Sequence, residues 1–436
     1  MNLIIACFIY YNTIVPIFKC FKHIIKRFRS SNFQNIYMIF SALDYLPVTF
    51  LNFIYHIFFI FSFNRPKLYT KEKRVHKVLG YSCRSMFDSL MNYLHSKNEN
   101  LTILTTPIHH TSFRNIIEKY VKPENVYILE INENYNKIKD IPNYNVDLCI
   151  ITHLFGQDMD CDFILNNINN FPIKTIFIED RVQGGSFNSK FSNEFMDISL
   201  YSTGMDKKPC GLGGGLIYIK DSSARLTCIA SVIKNKVISY KQEHWWDRLL
   251  FLFKKIPTYL LYNCKPFIKI LIWIFKNFNL DLHNFASKYR KKNPGFQHNN
   301  YNKNPSNGTL HSINYALQKD NYNSIEKLYT EKSLYFFSKL KCLETKRRRF
   351  KWFNGKPLLT PYNSVYVNNR PKFVAYLNNL NIPVIENPTY KIFNFDHTDK
   401  SRYKKFNDSI VYLPSLAILT NKEIETLACL LVTYIE

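Results

Sequence analysis

The stretch from Phe177 to Lys220 constrains the fold of this chain more than any other part of its sequence. It begins with an apolar run that ends in two acids, Glu179 and Asp180. Further along, a segment of alternating polarity leads into a polar turn that contains two lysines, Lys207 and Lys208. A glycine run and another apolar segment close the stretch. It therefore predicts three strands whose ends carry polar side chains.

The polar residues at these strand ends point to one kind of chemistry. In an open α/β sheet, ligands bind beyond the carboxyl ends of the strands. The stretch delivers a carboxylate (Asp180), a hydroxyl (Ser202) and a lysine (Lys207) to neighbouring strand ends. A lysine forms an imine with an aldehyde, a carboxylate pairs with a ring nitrogen, and a hydroxyl binds phosphate. The sequence thus indicates an aldehyde cofactor that has a ring nitrogen and a phosphate.

Three motifs in this stretch match a known pattern. Residues 178–183 read IEDRVQ, residues 196–207 read MDISLYSTGMDK, and residues 213–215 are glycines. They resemble the DegT/DnrJ/StrS family of pyridoxal-phosphate (PLP) sugar aminotransferases, which read roughly V-E-D-A-A-Q, G-D-I-x-x-F-S-F-x-x-x-K and G-E-G-G. One departure is Gly213, which stands where the family has an acid. The resemblance implies the α/β architecture of a fold-type-I PLP transferase, with a large domain built on a mostly parallel seven-stranded sheet and a smaller C-terminal α+β domain.

The resemblance also implies a role for each polar residue of the stretch. Lys207 would carry the cofactor as an imine and then shuttle protons, with Lys208 as the rival lysine. The spacing of Lys207 from Ser202 is that of the family. Asp180 would pair with the ring nitrogen, Gln183 would hydrogen-bond near the ring hydroxyl, and Ser202 would bind the phosphate.

A loop that enters a helix between Val75 and Leu94 is the expected partner of the cofactor phosphate. Residues 83–90, CRSMFDSL, stand where the family has S-G-T-x-A-L. The N-terminus of a helix offers free N–H groups and the positive end of a dipole, which favour an anion. Arg84 and Ser85 would then replace the family's glycine and threonine as donors.

Histidines at two strand ends have different expected roles. An apolar strand at residues 101–106 leads into PIHHTS, and the resemblance places His110 against the cofactor ring, with His109 as the alternative. His153 lies in HLFGQ, which resembles the family's H-L-Y-G-Q, and is expected to be structural. Glu179 is expected to turn away from the cofactor.

The loop at residues 301–306, YNKNPS, resembles the family's Y-N-Y-R-M-S. In the family this loop reaches the cofactor phosphate of the partner subunit. Asn302 keeps the family's asparagine, whereas Asn304 replaces its arginine. The resemblance therefore implies a homodimer in which Asn302 binds cofactor across the interface.

The resemblance extends over residues 70–436 apart from one insertion. Apolar segments at 126–131 and 148–152 predict buried strands of a parallel sheet. The C-terminal segments that match the family are a linking helix at 310–329, a helix, turn and strand at 370–384, and a strand and capped helix at 410–424. We predict an extension (1–66), a PLP-binding domain (67–240), an insertion (241–300), and a linking helix with the small domain (301–436).

Composition limits the remaining function classes. The 436-residue chain is 46% hydrophobic, which is enough for two or three cores. Its ten cysteines show no metal-ligand spacing, so no metal site and a reducing, cytoplasmic compartment are predicted. The net charge of +25 fits a biased composition, an anionic nucleotide-sugar or an acidic membrane surface. No nucleic-acid-reading motif accompanies the charge, so nucleic-acid binding is not expected.

Apolar segments outside the motifs leave two readings open. Residues 3–21 and 46–63 are apolar with basic flanks, and residues 249–278 mix apolar side chains with lysines. These patterns suit helices that lie in a membrane interface, and the alternative is burial against the catalytic domain or a dimer partner. Residues 3–21 lack a basic n-region and a cleavage site, so we do not expect a signal peptide.

The function implied by the resemblance is transfer of an amino group, from glutamate, to a keto-sugar carried on a nucleotide. The product would serve surface polysaccharide or glycan synthesis. Retention of Lys207 disfavours the dehydratase branch of the family, which has histidine there. The alternatives are a family member without PLP catalysis, a membrane-attached enzyme with another amine substrate, and a nucleic-acid-binding module.

Overall fold

The computed structural model describes about two thirds of the chain. The described residues are 50–132, 135–154, 156, 158–184, 189–204, 207–256, 270, 274, 277, 278, 301–343, 351–352, 363–367, 369–380, 382, 385–386, 390–392, 403–404, 408–413 and 416–434. The apolar segment at 3–21 and most of the insertion after residue 256 lie outside this set.

Helices and strands alternate along most of the chain. The helices are α1 (Phe50–Phe58), α2 (Cys83–Lys97), α3 (Thr111–Tyr120), α4 (Asp162–Asn166), α5 (Ala224–Ser239), α6 (Trp245–Phe253), α7 (Asn307–Ala316), α8 (Lys319–Leu343), α9 (Arg370–Asn379) and α10 (Asn421–Thr433). The strands are β1 (Tyr69–Glu72), β2 (Val75–Gly80), β3 (Ile103–Thr105), β4 (Ile108–His110), β5 (Val126–Ile128), β6 (Glu130–Ile131), β7 (Ile138–Asp140), β8 (Leu148–Thr152), β9 (Ile176–Asp180), β10 (Ile198–Ser202), β11 (Gly215–Lys220), β12 (Lys351–Trp352), β13 (Asn363–Tyr366), β14 (Ile385–Glu386), β15 (Tyr390–Ile392) and β16 (Ile410–Leu413).

The large sheet has eight strands in the order β1-β2-β11-β10-β9-β8-β3-β5. The pairings from β10 through β9, β8 and β3 to β5 are parallel, whereas those among β1, β2, β11 and β10 are antiparallel. The predicted mostly parallel sheet is confirmed, but the predicted count of seven strands is wrong. A hairpin whose turn holds Lys73 at φ 53° adds β1 beside β2. Residues 75–80, predicted as loop, form β2 because they pair with β11.

Alternation along the central strands divides the core into two layers. In β8, Leu148 and Ile150 pack on one face with α2, α3 and α5, while Cys149 and Ile151 pack on the other. All five residues of β8 and of β9 are buried, as is typical of parallel strands covered on both faces. Since successive side chains of a strand point to opposite faces, the neighbouring residues Glu179 and Asp180 lie in different surroundings.

A second core holds the C-terminal part together. The small sheet is antiparallel in the order β12-β13-β16-β14. Its residues pack with α8, which provides Phe336 and Leu340, and with α10, which provides Leu427 and Leu431. At the start of α10, Thr420 and Glu423 form the predicted capping box. Strand β15 crosses to the large domain and pairs with β4, so that Tyr390 lies opposite His110.

The N-terminal helix α1 and the 3-10 turn after it, Phe59–Phe61, pack against the large domain. Phe53 and Ile60 share a cluster with Leu212 and with Leu249 and Leu252 of α6. Within residues 50–63, the described part of the predicted segment 46–63, burial against the domain holds for one face. None of the helices in the described part of the chain has the length and apolar character needed to cross a bilayer.

Candidate active site

A cavity of about 360 Å³ opens beyond the carboxyl ends of β8, β9 and β10. Six of the eight residues predicted to form the site line it together: Arg84, His110, Asp180, Gln183, Ser202 and Lys207. They come from three strand ends, one helix N-terminus and two loops, so the fold gathers residues that are up to a third of the chain apart in sequence. The other two predicted residues, Ser85 and Asn302, do not line it.

Asp180 is the last residue of β9 and is only 4% exposed. Its Oδ1 accepts a hydrogen bond from the backbone N–H of Val182 at 3.0 Å. Burial raises the pKa of Asp180 to about 6, although the Val182 N–H and the charge of Lys207 oppose the shift. A carboxylate in such surroundings is stabilised by a cationic partner, which is the environment that a protonated ring nitrogen requires.

Glu179 turns to the other face of the sheet, as predicted. Its carboxylate accepts from His153 Nε2 at 3.1 Å and from the Ser192 N–H at 3.0 Å. His153 Nδ1 accepts from the Met159 N–H, so the ring proton lies on Nε2 and is donated to Glu179. Burial alone would raise the pKa of Glu179, but the hydrogen bond from His153 and the charge of Arg181 lower it overall. His153 thus fixes the strand end.

The glycine run places Lys207 by wrapping around Thr203. The Thr203 carbonyl accepts from the N–H groups of Gly211 (2.9 Å) and Gly213 (3.0 Å), and its hydroxyl donates to the Gly213 carbonyl. Gly213 (φ 130°) and Gly214 (φ 93°) hold conformations that other residues rarely adopt. The Lys207 N–H donates to the Gly204 carbonyl at 3.2 Å, which folds the lysine turn over the end of β10.

The two lysines of this turn differ in their surroundings. Lys207 lines the cavity, and its charge acts on Asp180. Lys208 is buried instead against helix α8, where its Nζ lies 3.5 Å from Oε1 of Glu326. Burial lowers the pKa of Lys208 to about 8, and Glu326 opposes the shift. The structure therefore separates the two rivals and brings Lys207, not Lys208, to Asp180.

The start of α2 faces the cavity with a different serine from the one predicted. Ser82 is the N-cap, and its hydroxyl accepts from the Ser85 N–H at 3.1 Å. Ser85 itself is buried, and its hydroxyl donates to the Ser82 carbonyl at 2.8 Å. The prediction for Ser85 differs from the structure because this position belongs to the first helical turn. Ser82 and the exposed Arg84 line the cavity there.

The two histidines of the PIHHTS segment are also separated. His110 lines the cavity, and its Nδ1 caps α3 by accepting from the Ser112 N–H at 3.2 Å. His109 is fully buried and hydrogen-bonds to the hydroxyls of Thr105 and Thr152. Burial lowers the pKa of His109 to about 3, so it is neutral. His110 is therefore the candidate for contact with a ligand.

Two further predicted residues offer polar atoms to the cavity. Gln183 is buried, and among the described residues its Oε1 has no hydrogen-bond partner. A buried acceptor without a partner costs free energy unless a ligand or water satisfies it. Ser202, the last residue of β10, accepts from the Gly204 N–H at 3.2 Å through its hydroxyl.

The loop at 301–306 does not line this cavity and is fixed by its own contacts. Asn304 exchanges backbone hydrogen bonds with Lys241 and Glu243, and its Oδ1 accepts from Arg65 at 2.8 Å. Asn302 is therefore not brought to the cavity of its own chain, and its predicted role across a subunit interface stays a prediction.

One wall of the cavity was missed by the sequence reasoning. It is formed by residues in or beside α6, by one residue of α7 and by the residue before the N-cap of α2. In that order they are Glu243, Arg248, Phe251, Thr309 and Tyr81. The buried carboxylate of Glu243 accepts from the Ser306 hydroxyl (2.8 Å) and the Thr309 hydroxyl (2.6 Å). The available signal was Arg248, a charge among the apolar residues of WWDRLLFLF.

Solved structures of PLP enzymes have the same fold. GDP-4-keto-6-deoxy-D-mannose-3-dehydratase of E. coli, with bound hydrated PLP, matches with a TM-score of 0.60 and 14% identity over 91% of this chain and 100% of that one. The aminotransferase TlmJ of Streptoalloteichus hindustanus matches at 0.56 and 9% over 91% and 98%. The sugar aminotransferase CalS13 of Micromonospora echinospora matches at 0.54 and 10% over 91% and 98%.

No protein-family model matches the sequence, and no curated protein does. The structural likeness covers nearly the whole length of the solved enzymes, while sequence identity is low throughout. The chain therefore has the fold of the fold-type-I PLP enzymes, the architecture predicted from its motifs.

Proposed function

We propose that this protein is a PLP-dependent aminotransferase that moves an amino group onto a keto-sugar carried on a nucleotide. The observation that carries the proposal is the meeting of Asp180 and Lys207 in one cavity, with Lys208 turned away. The residues present fit PLP. The cavity offers a buried carboxylate of raised pKa, a lysine, an unsatisfied amide oxygen on Gln183 and a helix N-terminus.

The proposed roles follow from these surroundings. Asp180 would face the ring nitrogen, since its carboxylate is stabilised by a cation. The N-terminus of α2, with Arg84 and Ser202, would hold the phosphate, because free N–H groups and a cation favour an anion there. His110 would contact the ring, and Gln183 would use its amide near the ring hydroxyl.

When bound, PLP supplies an electron sink that allows an amino group to pass between two carbons. The chain's part is to orient and to move protons. Lys207 would attach the cofactor and, when free, would hold and move the proton at the substrate carbon. The charge of Lys207 favours the charged form of Asp180, because an opposite charge nearby stabilises a carboxylate.

The substrate class is inferred from the structural neighbours and from charge. One neighbour, DesI, is described in the presence of its TDP-sugar product, and another structure holds PLP and glutamate. A net charge of +25 would attract an anionic nucleotide-sugar. We therefore propose glutamate as the amino donor and a nucleotide-linked keto-sugar as the acceptor, for the synthesis of a surface polysaccharide or glycan.

The direct test is a two-step reaction with the purified protein. PLP-loaded protein is given glutamate, and 2-oxoglutarate is measured; nucleotide-linked keto-sugars are then added and an amino-sugar product is sought by mass spectrometry. Release of 2-oxoglutarate without any amino-sugar product would retain the PLP enzyme but refute the sugar substrate. A protein that binds no PLP would be the non-catalytic family member.

We further propose a homodimer in which the loop at 301–306 reaches the partner's cavity through Asn302. In the single chain this residue does not line the cavity, and Arg65 and Lys241 hold its neighbour Asn304 in place. Sedimentation velocity measures the assembly state. Mixing Lys207→Ala protein with Asn302→Ala protein then tests sharing: partial recovery of activity requires sites built from two chains.

Peripheral contact with the inner face of the cytoplasmic membrane is proposed from an exposed aromatic surface. It consists of Phe58 of α1, Phe61 of the following turn, and Trp245, Trp246 and Phe253 of α6, all about half exposed. Phe61 and Trp245 are in ring contact, so the two segments form one surface. Aromatic side chains of this kind favour a membrane interface.

Vesicle sedimentation with anionic lipid tests this surface. Trp245→Ser with Trp246→Ser should abolish binding, whereas Ile173→Ser, which removes a fully exposed apolar residue elsewhere, should not. Loss of the dimer without loss of vesicle binding would instead assign the surface to the subunit interface.

The four-segment division at residues 66, 240 and 300 remains part of the proposal.

A further inference from the structure

Arg248 is a buried cation in the wall of the cavity that the motifs do not account for. It lies in the middle of α6, is only 3% exposed, and lines the cavity beside Gly213 and Gly214. Arginine remains protonated in proteins, so its charge is buried with it. Burying a charge is costly unless it is paired.

The hydrogen-bond partners of Arg248 are all neutral groups. Nη1 donates to the Leu212 carbonyl at 2.7 Å, and Nη2 donates to the Gly211 carbonyl at 3.1 Å and the Ser312 hydroxyl at 3.2 Å. Nε has no acceptor. Within the described part of the chain, no carboxylate lies within ion-pair distance of this guanidinium. Its charge is therefore fixed in place without an ion pair, although the charge of Glu243 on the same wall acts on it.

The residues around Arg248 leave its guanidinium room at the cavity wall. A Cβ at Gly213 would lie 2.9 Å from Nη1, so the absence of a side chain at 213 makes room for the guanidinium. Glu243, on the same wall, is already satisfied by Ser306 and Thr309. Burial first, and then the charge of Arg248, lowers the pKa of His56 to about 3, so the field of the arginine acts on nearby groups.

We propose that Arg248 is the binding residue for an oxyanion of the substrate, a carboxylate or a phosphate, that enters the cavity. This inference rests on the proposed function, because it assigns a substrate contact in the proposed active site. A buried cation whose hydrogen bonds are made only to neutral groups gains most from an anionic ligand. Arg84 and the N-terminus of α2 form a separate anion position on another element.

The test uses full-length PLP-loaded protein and two anions as probes, glutarate and inorganic phosphate, with chloride as the ionic-strength control. Binding is measured as the shift of thermal unfolding with anion concentration. For Arg248→Gln the half-saturating concentration should rise about tenfold or more, and Arg248→Lys should fall between the two. Arg114→Gln, which removes an arginine of α3 paired with Glu118, should match the wild type.

A second pair of variants leaves Arg248 and its bonds in place. The ring of Phe251 lies 5.4 Å from the Arg248 Cζ and lines the cavity. Phe251→Glu supplies an internal carboxylate that competes with the probe, so it should weaken anion binding, whereas Phe251→Gln should weaken it much less. These variants decide the matter if Arg248→Gln does not fold.

The pattern of loss identifies the source of the anion. If only glutarate binding is lost, Arg248 binds the carboxylate of the amino donor. If only phosphate binding is lost, it binds the phosphate of the nucleotide. Unchanged titrations in Arg248→Gln or in Phe251→Glu would overturn the proposal. So would a tenfold loss of PLP affinity, measured by absorbance, because Arg248 would then serve the cofactor. PLP absorbance reports the proposed function separately. If it is retained while anion binding is unchanged by the substitutions, only the role of Arg248 is refuted.

Discussion

The strand-end wall of the cavity and the α6–α7 wall differ in how they are built. The strand-end wall places Asp180, Ser202 and Lys207 on neighbouring elements close in sequence, with each side chain fixed by strand parity or by the glycine turn. The α6–α7 wall brings Glu243, Arg248 and Thr309 together from segments that meet only in the folded chain. The first wall carries the proposed chemistry, and the second carries the proposed substrate contact.

The largest expected effect comes from Asp180→Asn in the strand-end wall. An amide cannot carry the charge that Asp180 presents, so turnover should fall about 10²- to 10⁴-fold. Steady-state kinetics with glutamate measures the loss. Glu179→Gln is the matched control, because it removes a neighbouring carboxylate from the opposite face; it should lower stability but keep the PLP absorbance. Equal losses of turnover would erase the distinction between the two acids.

The pH dependence of stability tests the same carboxylate without any substrate. The pKa of Asp180 is raised from 3.8 to about 6 in the folded protein, chiefly by burial. Between these values the folded state keeps a proton that the unfolded chain has lost, so stability falls as pH rises through this window, by about 3 kcal/mol.

Urea unfolding of cofactor-free protein at several pH values between 4 and 6.5 measures this slope. Asp180→Asn has no titrating group at this position, so its stability should not show the part of the slope that comes from Asp180. The same slope in both proteins would mean that other groups cause the dependence.

Gly215→Ala tests the close contact between β11 and the start of α2. A Cβ at Gly215 would overlap the backbone of Ser82 and Cys83, which cannot move without shifting the N-terminus of α2. Overpacking of this kind costs about 1–3 kcal/mol, and PLP affinity should fall with it. Gly184→Ala is the control, since its Cβ would meet neighbours at 3.2 Å or more. Chemical unfolding of both variants gives the difference.

The smallest effect is expected for Ser82→Ala. It removes the cap of α2 at the Ser85 N–H, which is worth about 1 kcal/mol. The loss should appear in thermal unfolding and in weaker binding of inorganic phosphate. Ser223→Ala, which removes the equivalent cap of α5, should cost similar stability without affecting phosphate binding. Equal phosphate binding in all three proteins would place the anion away from α2.

The sequence predicted the first wall well because its information is local. The apolar runs of β8 and β9, the parity of Glu179 and Asp180, and the glycine turn before β11 are each decided within a short segment. The sequence favoured Ser85, but the N-cap lies three residues earlier, at Ser82, and Ser85 is a buried residue of the first helical turn. The second wall could not be predicted, since the neighbours of Arg248 depend on how α6 packs on residues 211–213 and α7.

The residue that carries PLP can be identified directly. PLP-loaded protein is reduced with borohydride, digested and analysed by fragmentation mass spectrometry. We predict that the added mass lies on Lys207, persists there in Lys208→Ala and is absent from Lys207→Ala. Attachment at Lys208, or a protein that holds no PLP although it is folded, would contradict the central claim that Lys207 and Asp180 share one cofactor.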